Sequence, residues 1–330
     1  MSATAPVIAD QLGKDFREGF LMRKKSALES VSFTIQEGEI FGFLGPNGAG
    51  KSTTLHVLVG FLRPSRGRAL VAGRSPQEPE ARRFLGFLPE VFAFDRFATG
   101  RGLLRRFDAL SDRPVEGRDE RVRDALEAVG MEEAASRRIG TYSKGMMQRI
   151  GLAQALLGDP DLLILDEPMS GMDPATRHST RKVLCARRER GKTTLLSSHI
   201  LTDVEEVADR VLILDRGRKV AEGPIAELGE ARAGAVVFRD DDATRFDPDL
   251  APLGLSRETV PGEPNLSILR TADTSAKNAA LALLAAGGAD IVSVTPQKAG
   301  LEEIFLELTA KKDTKGTDLG ARSEGEGEAS

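Results

Sequence analysis

Short, unbroken apolar runs recur along the first two thirds of the chain and are separated by polar or glycine-rich turns. Such runs are typical of strands that are buried on both faces of a parallel sheet. They lie at 39–44, 162–165, 193–197 and 210–214. Further strands are predicted at 28–35, where apolar positions alternate, and at 69–72, after a turn. The Asp-Arg-Gly sequence at 215–217 predicts a hairpin turn into a strand at 218–221.

Apolar residues recur at helical spacing from about residue 100 to 158. Their faces contain Leu103, Leu104, Phe107 and Leu110, and then Val122, Leu126 and Val129. We therefore predict a first domain at residues 1–230, with a helical subdomain at about 90–158.

Beyond residue 230 the pattern predicts a small α/β domain at 231–310. Its strands are expected at 235–238, 266–270 and 291–295, and its helices near 275–286 and 301–308. The tail at 311–330 is polar and glycine-rich, so we expect it to be disordered.

The composition narrows the class of protein. The chain has 330 residues, of which 40% are hydrophobic and 29% charged, as in ordinary soluble globular proteins. A net charge of −4 without a basic block argues against a nucleic-acid partner. The single cysteine, Cys185, cannot form an internal disulfide, which fits a reducing cytosol. We expect no signal peptide and no membrane-spanning segment, so action at a membrane would need another chain.

The strongest chemical signal is the run GPNGAGKST, which fits the phosphate-binding pattern G-x-x-x-x-G-K-[ST]. It consists of Gly45, Pro46, Asn47, Gly48, Ala49, Gly50, Lys51, Ser52 and Thr53. A predicted strand precedes it and a short predicted helix follows, which is the context that such a loop requires. Its glycines let backbone N–H groups approach phosphate oxygens, and the helix N-terminus favours the same anion. Lys51 would contact the β- and γ-phosphates, and the Ser52 hydroxyl would bind Mg²⁺.

A second motif, an acidic pair, follows the buried run at 162–165. Asp166 would hold Mg²⁺, mainly through water, at the carboxyl end of the strand. Glu167 is placed to polarise the water that attacks the γ-phosphate. The alternative is a pair of acids in a surface turn, which the phosphate loop upstream disfavours.

Together these motifs resemble the nucleotide-binding subunit of an ABC transporter, over residues 7 to about 228. Five further stretches match that family in order: Leu12-Gly13-Lys14-Asp15-Phe16, Leu88-Pro89-Glu90, Tyr142-Ser143-Lys144-Gly145-Met146, Ser170-Gly171-Met172-Asp173 and His199. The resemblance implies an α/β fold: a P-loop NTPase cassette with a mostly parallel core sheet, an antiparallel β part and a helical subdomain. The small α/β C-terminal domain would follow it.

The resemblance also implies roles for these residues. Two copies would sandwich ATP and Mg²⁺, and Ser143 and Gly145 of one copy would contact the γ-phosphate held by the other. Glu167, His199 and Lys51 would be the catalytic side chains. Ser143 could equally be an ordinary helix N-cap. Phe16 would stack on adenine, although core packing is an alternative and Phe20 is a rival.

The chain departs from the family pattern at three places. Glu90 replaces the usual glutamine, which would add a carboxylate to the metal site. Lys144 replaces the first signature glycine, and its side chain must point away from the phosphate if the contact in trans is to form. Met146 and Met147 stand where glutamine is usual. The YSKGM form is seen in many bacterial exporters of the family. We therefore interpret the three departures as marks of a subtype and not as decay of the site.

The implied function is ATP hydrolysis that drives an exporter. The chain would be peripheral on the cytoplasmic face of the membrane and would act with a separately encoded permease. Phe92, Phe94 and Phe97 either form the groove that receives this permease or belong to the core of the helical subdomain. The alternatives are a repair, chromosome or translation ATPase, and a non-catalytic nucleotide sensor. An inserted coiled coil and a second cassette are not found, and intact Glu167 and His199 argue against the sensor.

Overall fold

The computed structural model describes residues 5–19, 22–111, 113–228, 233–260, 262–271 and 274–297. Phe20, the expected helix at 301–308 and the expected disordered tail lie outside these ranges. The chain divides into two compact units, with the division after Ile225. Within the described ranges, no helix is long and apolar enough to cross a membrane.

The first unit contains nine strands. They are β1 (Val7–Glu18), β2 (Arg23–Ile35), β3 (Ile40–Leu44), β4 (Arg66–Val71), β5 (Leu85–Leu88), β6 (Leu162–Asp166), β7 (Thr193–Ser198), β8 (Arg210–Asp215) and β9 (Arg218–Pro224). Its helices are α1 (Lys51–Leu58), α2 (Pro79–Arg82), α3 (Gly100–Ala109), α4 (Arg118–Ala128), α5 (Lys144–Leu156), α6 (Pro174–Glu189) and α7 (Leu201–Glu205). The division falls within the short helix α8 (Ile225–Leu228).

Six of these strands form the central sheet, in the order β5-β6-β7-β3-β8-β9. All pairs are parallel except β8 with β9, which form the expected hairpin. Every residue of β3, β6 and β7 is buried, because helices cover both faces of a parallel sheet. These three strands are neighbours, so the segments that follow their carboxyl ends meet at one edge. The predicted α/β fold with a mostly parallel core sheet is confirmed.

A smaller antiparallel sheet, in the order β2-β1-β4, packs against the phosphate-loop side of the core. Phe33 from β2 lies edge-on to Phe43 of β3, with ring centroids 5.0 Å apart. Strand β1 has register shifts around Leu12 and Lys14, which interrupt its apolar alternation. This irregularity explains why the sequence pattern did not delimit β1.

The helical part is formed by α3, α4 and α5. Thr99 caps α3 by accepting a hydrogen bond from the Gly102 N–H at 3.1 Å. Asp108 of α3 is fully buried and accepts from Arg121 at 2.7 and 2.8 Å and from Arg118 at 3.1 Å. These bonds tie the end of α3 to α4, and Arg121 holds the pKa of Asp108 below its ordinary value.

The second unit has four strands in the antiparallel order β11-β12-β10-β13. Its elements are β10 (Ala233–Arg239), α9 (Asp247–Leu250), β11 (Arg257–Val260), β12 (Glu263–Thr271), α10 (Thr274–Ala286) and β13 (Asp290–Gln297). Phe238 and Phe246 pack edge to face in its core, beside Leu284 of α10. The strands and the helix expected at 275–286 are present, and β11 is an additional edge strand.

Candidate active site

The loop after β3 is shaped by its glycines. Gly45 has φ 153°, and a Cβ there would lie 2.3 Å from the Leu214 carbonyl oxygen. Gly50, with φ 106°, is the N-cap residue of α1, and a Cβ there would lie 2.8 Å from the Ala27 carbonyl oxygen. A side chain at either position would therefore clash with backbone as well as strain the loop. The loop therefore makes a tight turn directly before the N-terminus of α1, which can face a bound anion.

Lys51, Glu167 and His199 form one connected group. The Lys51 ammonium is buried and lies 2.7 Å from the Gly45 carbonyl oxygen and 3.6 Å from Glu167 Oε1. His199 Nδ1 lies 2.8 Å from Glu167 Oε2. The Glu167 side chain is 6% exposed and that of His199 is 45% exposed. Side chains from the start of α1 and from the segments after β6 and β7 thus meet at one place.

Ser197 joins this group and was missed by the sequence analysis. Its buried hydroxyl donates to Asp166 Oδ1 at 2.5 Å and accepts from the Glu167 N–H at 3.0 Å. Asp166 and Ser197 are paired across β6 and β7, so sheet register sets this contact. The only signal in the sequence was a polar residue that ends an apolar strand next to a motif.

The backbone of Glu167 is held in an unusual conformation. Its φ is 51°, in a region that non-glycine residues rarely adopt, and Pro168 further narrows its choices. Such strain persists only where surrounding contacts over-determine the conformation. Here the contacts come from Ser197, from the Ser170 N–H to the Glu167 carbonyl oxygen, and from Lys51 and His199 on the carboxylate.

A cavity of about 400 Å³ opens over the loop. Its lining contains Phe16, Lys25, Ser26, Ala27, Pro46, Asn47, Gly48, Gly50, Lys51, Ser52, Thr53, Glu90 and Glu167. Phe16 therefore lies where a base attached to phosphates on the loop could reach it, with Lys14 Nζ 5.3 Å from its ring centroid. Gly45, Ala49, Asp166 and His199 do not line this cavity.

The residues predicted to bind Mg²⁺ can be compared with that ion by their donor atoms. Ser52, Glu90 and Asp166 offer only hard oxygen donors, which suit Mg²⁺. Across the described ranges, no three His, Cys, Asp or Glu side chains gather closely enough to hold a metal ion.

The signature segment lies apart from this cavity. Ser143 is exposed and caps α5, accepting from the Met146 N–H at 3.2 Å. The Lys144 side chain points to the loop after Glu167, where its ammonium nitrogen lies beside Gly171. A Cβ added to Gly171 would be only 2.1 Å from that nitrogen. The Lys144 side chain thus does not cover the N-terminus of α5. Neither Ser143 nor Gly145 lines the cavity of its own chain.

A larger cavity of about 900 Å³ lies between the core sheet and the helical part. Phe92 and Phe94 line it with three other phenylalanines, Phe61, Phe87 and Phe107. Phe97 does not line it and is 83% exposed, so this side chain is not part of the core of the helical part. Among the residues that the structure describes, the lining also carries three arginines, Arg82, Arg83 and Arg113, and no carboxylate.

Comparisons with known proteins agree with this geometry. The family model described as ABC transporter matches residues 28–170. An uncharacterised ABC transporter ATP-binding protein of Synechocystis is 36% identical over 90% of this chain and 82% of its own. The Nod factor export ATP-binding protein I of Burkholderia lata is 34% identical over 87% and 93%.

Among solved structures, a bacterial ABC transporter cassette determined as a dimer matches with a TM-score of 0.61. It is 23% identical and covers 66% of this chain and 98% of its own, so it supports the fold. The relatives, the fold and the converging Lys51, Glu167 and His199 all agree. The chain belongs to the ATP-binding subunits of ABC transporters and is an ATPase of that family.

Proposed function

We propose that the chain powers an ABC exporter by hydrolysing ATP in a dimer of two copies. The observation that carries this proposal is the contact of Glu167 with both Lys51 and His199 beside the phosphate loop. A carboxylate held next to a bound γ-phosphate can accept a proton from the attacking water. A nucleotide sensor would not need this arrangement.

Each side chain has a separate part in that reaction. Glu167 orients and deprotonates the water, and His199 holds the second carboxylate oxygen so that the first faces it. Lys51 offers positive charge to the β- and γ-phosphates. Mg²⁺, held by Ser52 and Asp166 with Glu90 as an added carboxylate, would neutralise charge on the phosphate oxygens.

The second copy would complete the site. Ser143 is exposed and Gly145 is partly buried at the N-terminus of α5, where the Ser143 hydroxyl and the Gly145 N–H can bind the γ-phosphate held by a partner. Without them, charge on the transferred phosphate would be stabilised only in part. A solved cassette of this fold that is dimeric supports this assembly.

The membrane partner would bind the 900 Å³ cavity. Large exposed apolar side chains are usually covered by a partner, and Phe61 and Leu110 at this cavity are 67% and 83% exposed. We place the chain on the cytoplasmic face, bound to a separately encoded permease. The Nod factor export relative and the YSKGM signature support the export direction.

The test is ATP turnover by Glu167→Gln, which keeps the shape of the side chain but cannot accept the proton. We expect turnover to fall by roughly 10²–10⁴ while nucleotide affinity is retained. Glu29→Gln is the matched control, since Glu29 pairs with Arg218 on the surface and should leave turnover unchanged. Turnover in Glu167→Gln equal to that of the control would refute the assigned base.

A further inference from the structure

Helix α5 contacts the segment that carries the catalytic base. Gln148 of α5 is 8% exposed, and its Nε2 donates to the Pro168 carbonyl oxygen at 3.1 Å. Pro168 directly follows Glu167 in the chain. The contact therefore joins helix α5, which follows Ser143, to the residue that comes directly after the base.

Two other residues of α5 face the same segment. A Cβ on Gly171 would meet the stem and ammonium of Lys144, and a Cβ on Gly145 would lie 3.7 Å from Asp173 Oδ2. Positions 144, 145 and 148 share one helix face, because residues three and four apart are neighbours. The first turn of α5 thus lies along the loop from Glu167 to α6.

We propose that Gln148 is a positioning residue for Glu167. The φ of 51° at Glu167 requires contacts that fix both sides of the residue. Ser197 accepts from the N–H of Glu167 itself, and the Ser170 N–H binds the Glu167 carbonyl oxygen. Gln148 fixes the next carbonyl along the chain, that of Pro168, whose ring already restricts its φ. Gln148 therefore aims the Glu167 carboxylate without touching nucleotide. Since it lies five residues after Ser143, on the helix that Ser143 caps, it also links the signature of one copy to the base in that same copy.

This proposal rests on the proposed role of Glu167 as the base. If Gln148 acts only through Glu167, removing its amide should matter only while the base is present. A general structural role would instead lower turnover by the same factor in both backgrounds. A double-mutant cycle separates these two cases.

The experiment measures single-turnover ATP hydrolysis by Gln148→Met, alone and combined with Glu167→Gln. Met keeps the length of the side chain but has no donor. In the wild-type background we expect turnover to fall by about 10- to 100-fold, with KM and nucleotide Kd unchanged, as for a small misplacement of a reacting group. In the Glu167→Gln background we expect a change of less than about twofold.

Gln77→Met is the matched control. Gln77 also donates its amide to a backbone carbonyl, that of Leu62 at 3.2 Å, but far from Glu167 in the chain. It should leave turnover unchanged. Equal losses from Gln148→Met in both backgrounds, or no loss in the wild-type background, would overturn the proposal. Full turnover in Glu167→Gln itself would instead refute the assigned base.

A second variant keeps the test valid if Gln148→Met does not fold. Gln148→Glu has nearly the same shape but donates a hydrogen bond only when protonated. We expect its turnover relative to wild type to be low at neutral pH and to rise as the pH falls toward the range where a carboxyl protonates. A pH-independent ratio would contradict the role of the donated hydrogen bond.

Discussion

Ser197 offers a quantitative test of how the site is held. Ser197→Ala removes the hydroxyl that donates to Asp166 and accepts from the Glu167 N–H. The bond to an ionised carboxylate contributes about 1.5–3 kcal/mol. Leaving the buried Glu167 N–H unpaired costs a further 1–3 kcal/mol or so. We therefore expect the free energy of unfolding to fall by about 3–5 kcal/mol.

Turnover should fall as well, because both carboxylates lose a contact that sets their position. We expect a loss of about 10- to 100-fold in kcat. Thr194→Val is the matched control in the same strand. Thr194 is buried, and its hydroxyl has no hydrogen-bond partner among the described residues. Removing that hydroxyl should leave stability unchanged or raise it by about 1 kcal/mol.

The assays are urea unfolding followed by circular dichroism, and steady-state ATP hydrolysis at saturating Mg²⁺. If Ser197→Ala matched Thr194→Val in both measurements, the reasoning would be refuted. A loss of stability without a loss of kcat would show that Ser197 supports the strand and not the reacting groups.

Other parts of the cassette give independent predictions. Asp108→Asn should lower the free energy of unfolding by about 3–5 kcal/mol in urea titrations, because it leaves two arginines partly unpaired. Since Arg121 holds the pKa of Asp108 below its ordinary 3.8, this stabilisation is complete above about pH 5 and is lost as acid protonates the carboxyl. If Asp108→Asn were as stable as the wild-type chain up to pH 7 and less stable only above it, this explanation would be contradicted. Phe16→Ala should weaken ATP binding by about 1–3 kcal/mol in calorimetry, whereas an unchanged Kd would exclude stacking.

The sequence patterns were sufficient to predict the buried strands that the site motifs follow. Buried strands in a parallel sheet have unbroken apolar runs, so β3, β6 and β7 could be recognised, and a motif follows each of them. Parallel pairing then brings Lys51, Glu167 and His199 together. The order of the strands was not encoded in any local pattern.

The contacts that hold the site could not be predicted. Ser197 meets Asp166 through sheet register, and Gln148 reaches Pro168 through helix packing, both over long sequence separations. Leu110 shows a different limit. Its spacing placed it on the buried face of α3, but the helix ends at Ala109 and Leu110 is 83% exposed. Helix ends depend on capping and on neighbours that periodicity does not contain.

The central claim is that Glu167 acts in a site closed by a second copy of the chain. The most direct measurement is the mass of Glu167→Gln by sedimentation with ATP and Mg²⁺, with and without Ser143→Arg. We predict twice the monomer mass for Glu167→Gln, because bound ATP is not consumed, and a monomer with ATP bound once Ser143 is replaced. A Glu167→Gln chain that stays monomeric with ATP bound would contradict the account, and so would a dimer that Ser143→Arg does not disrupt.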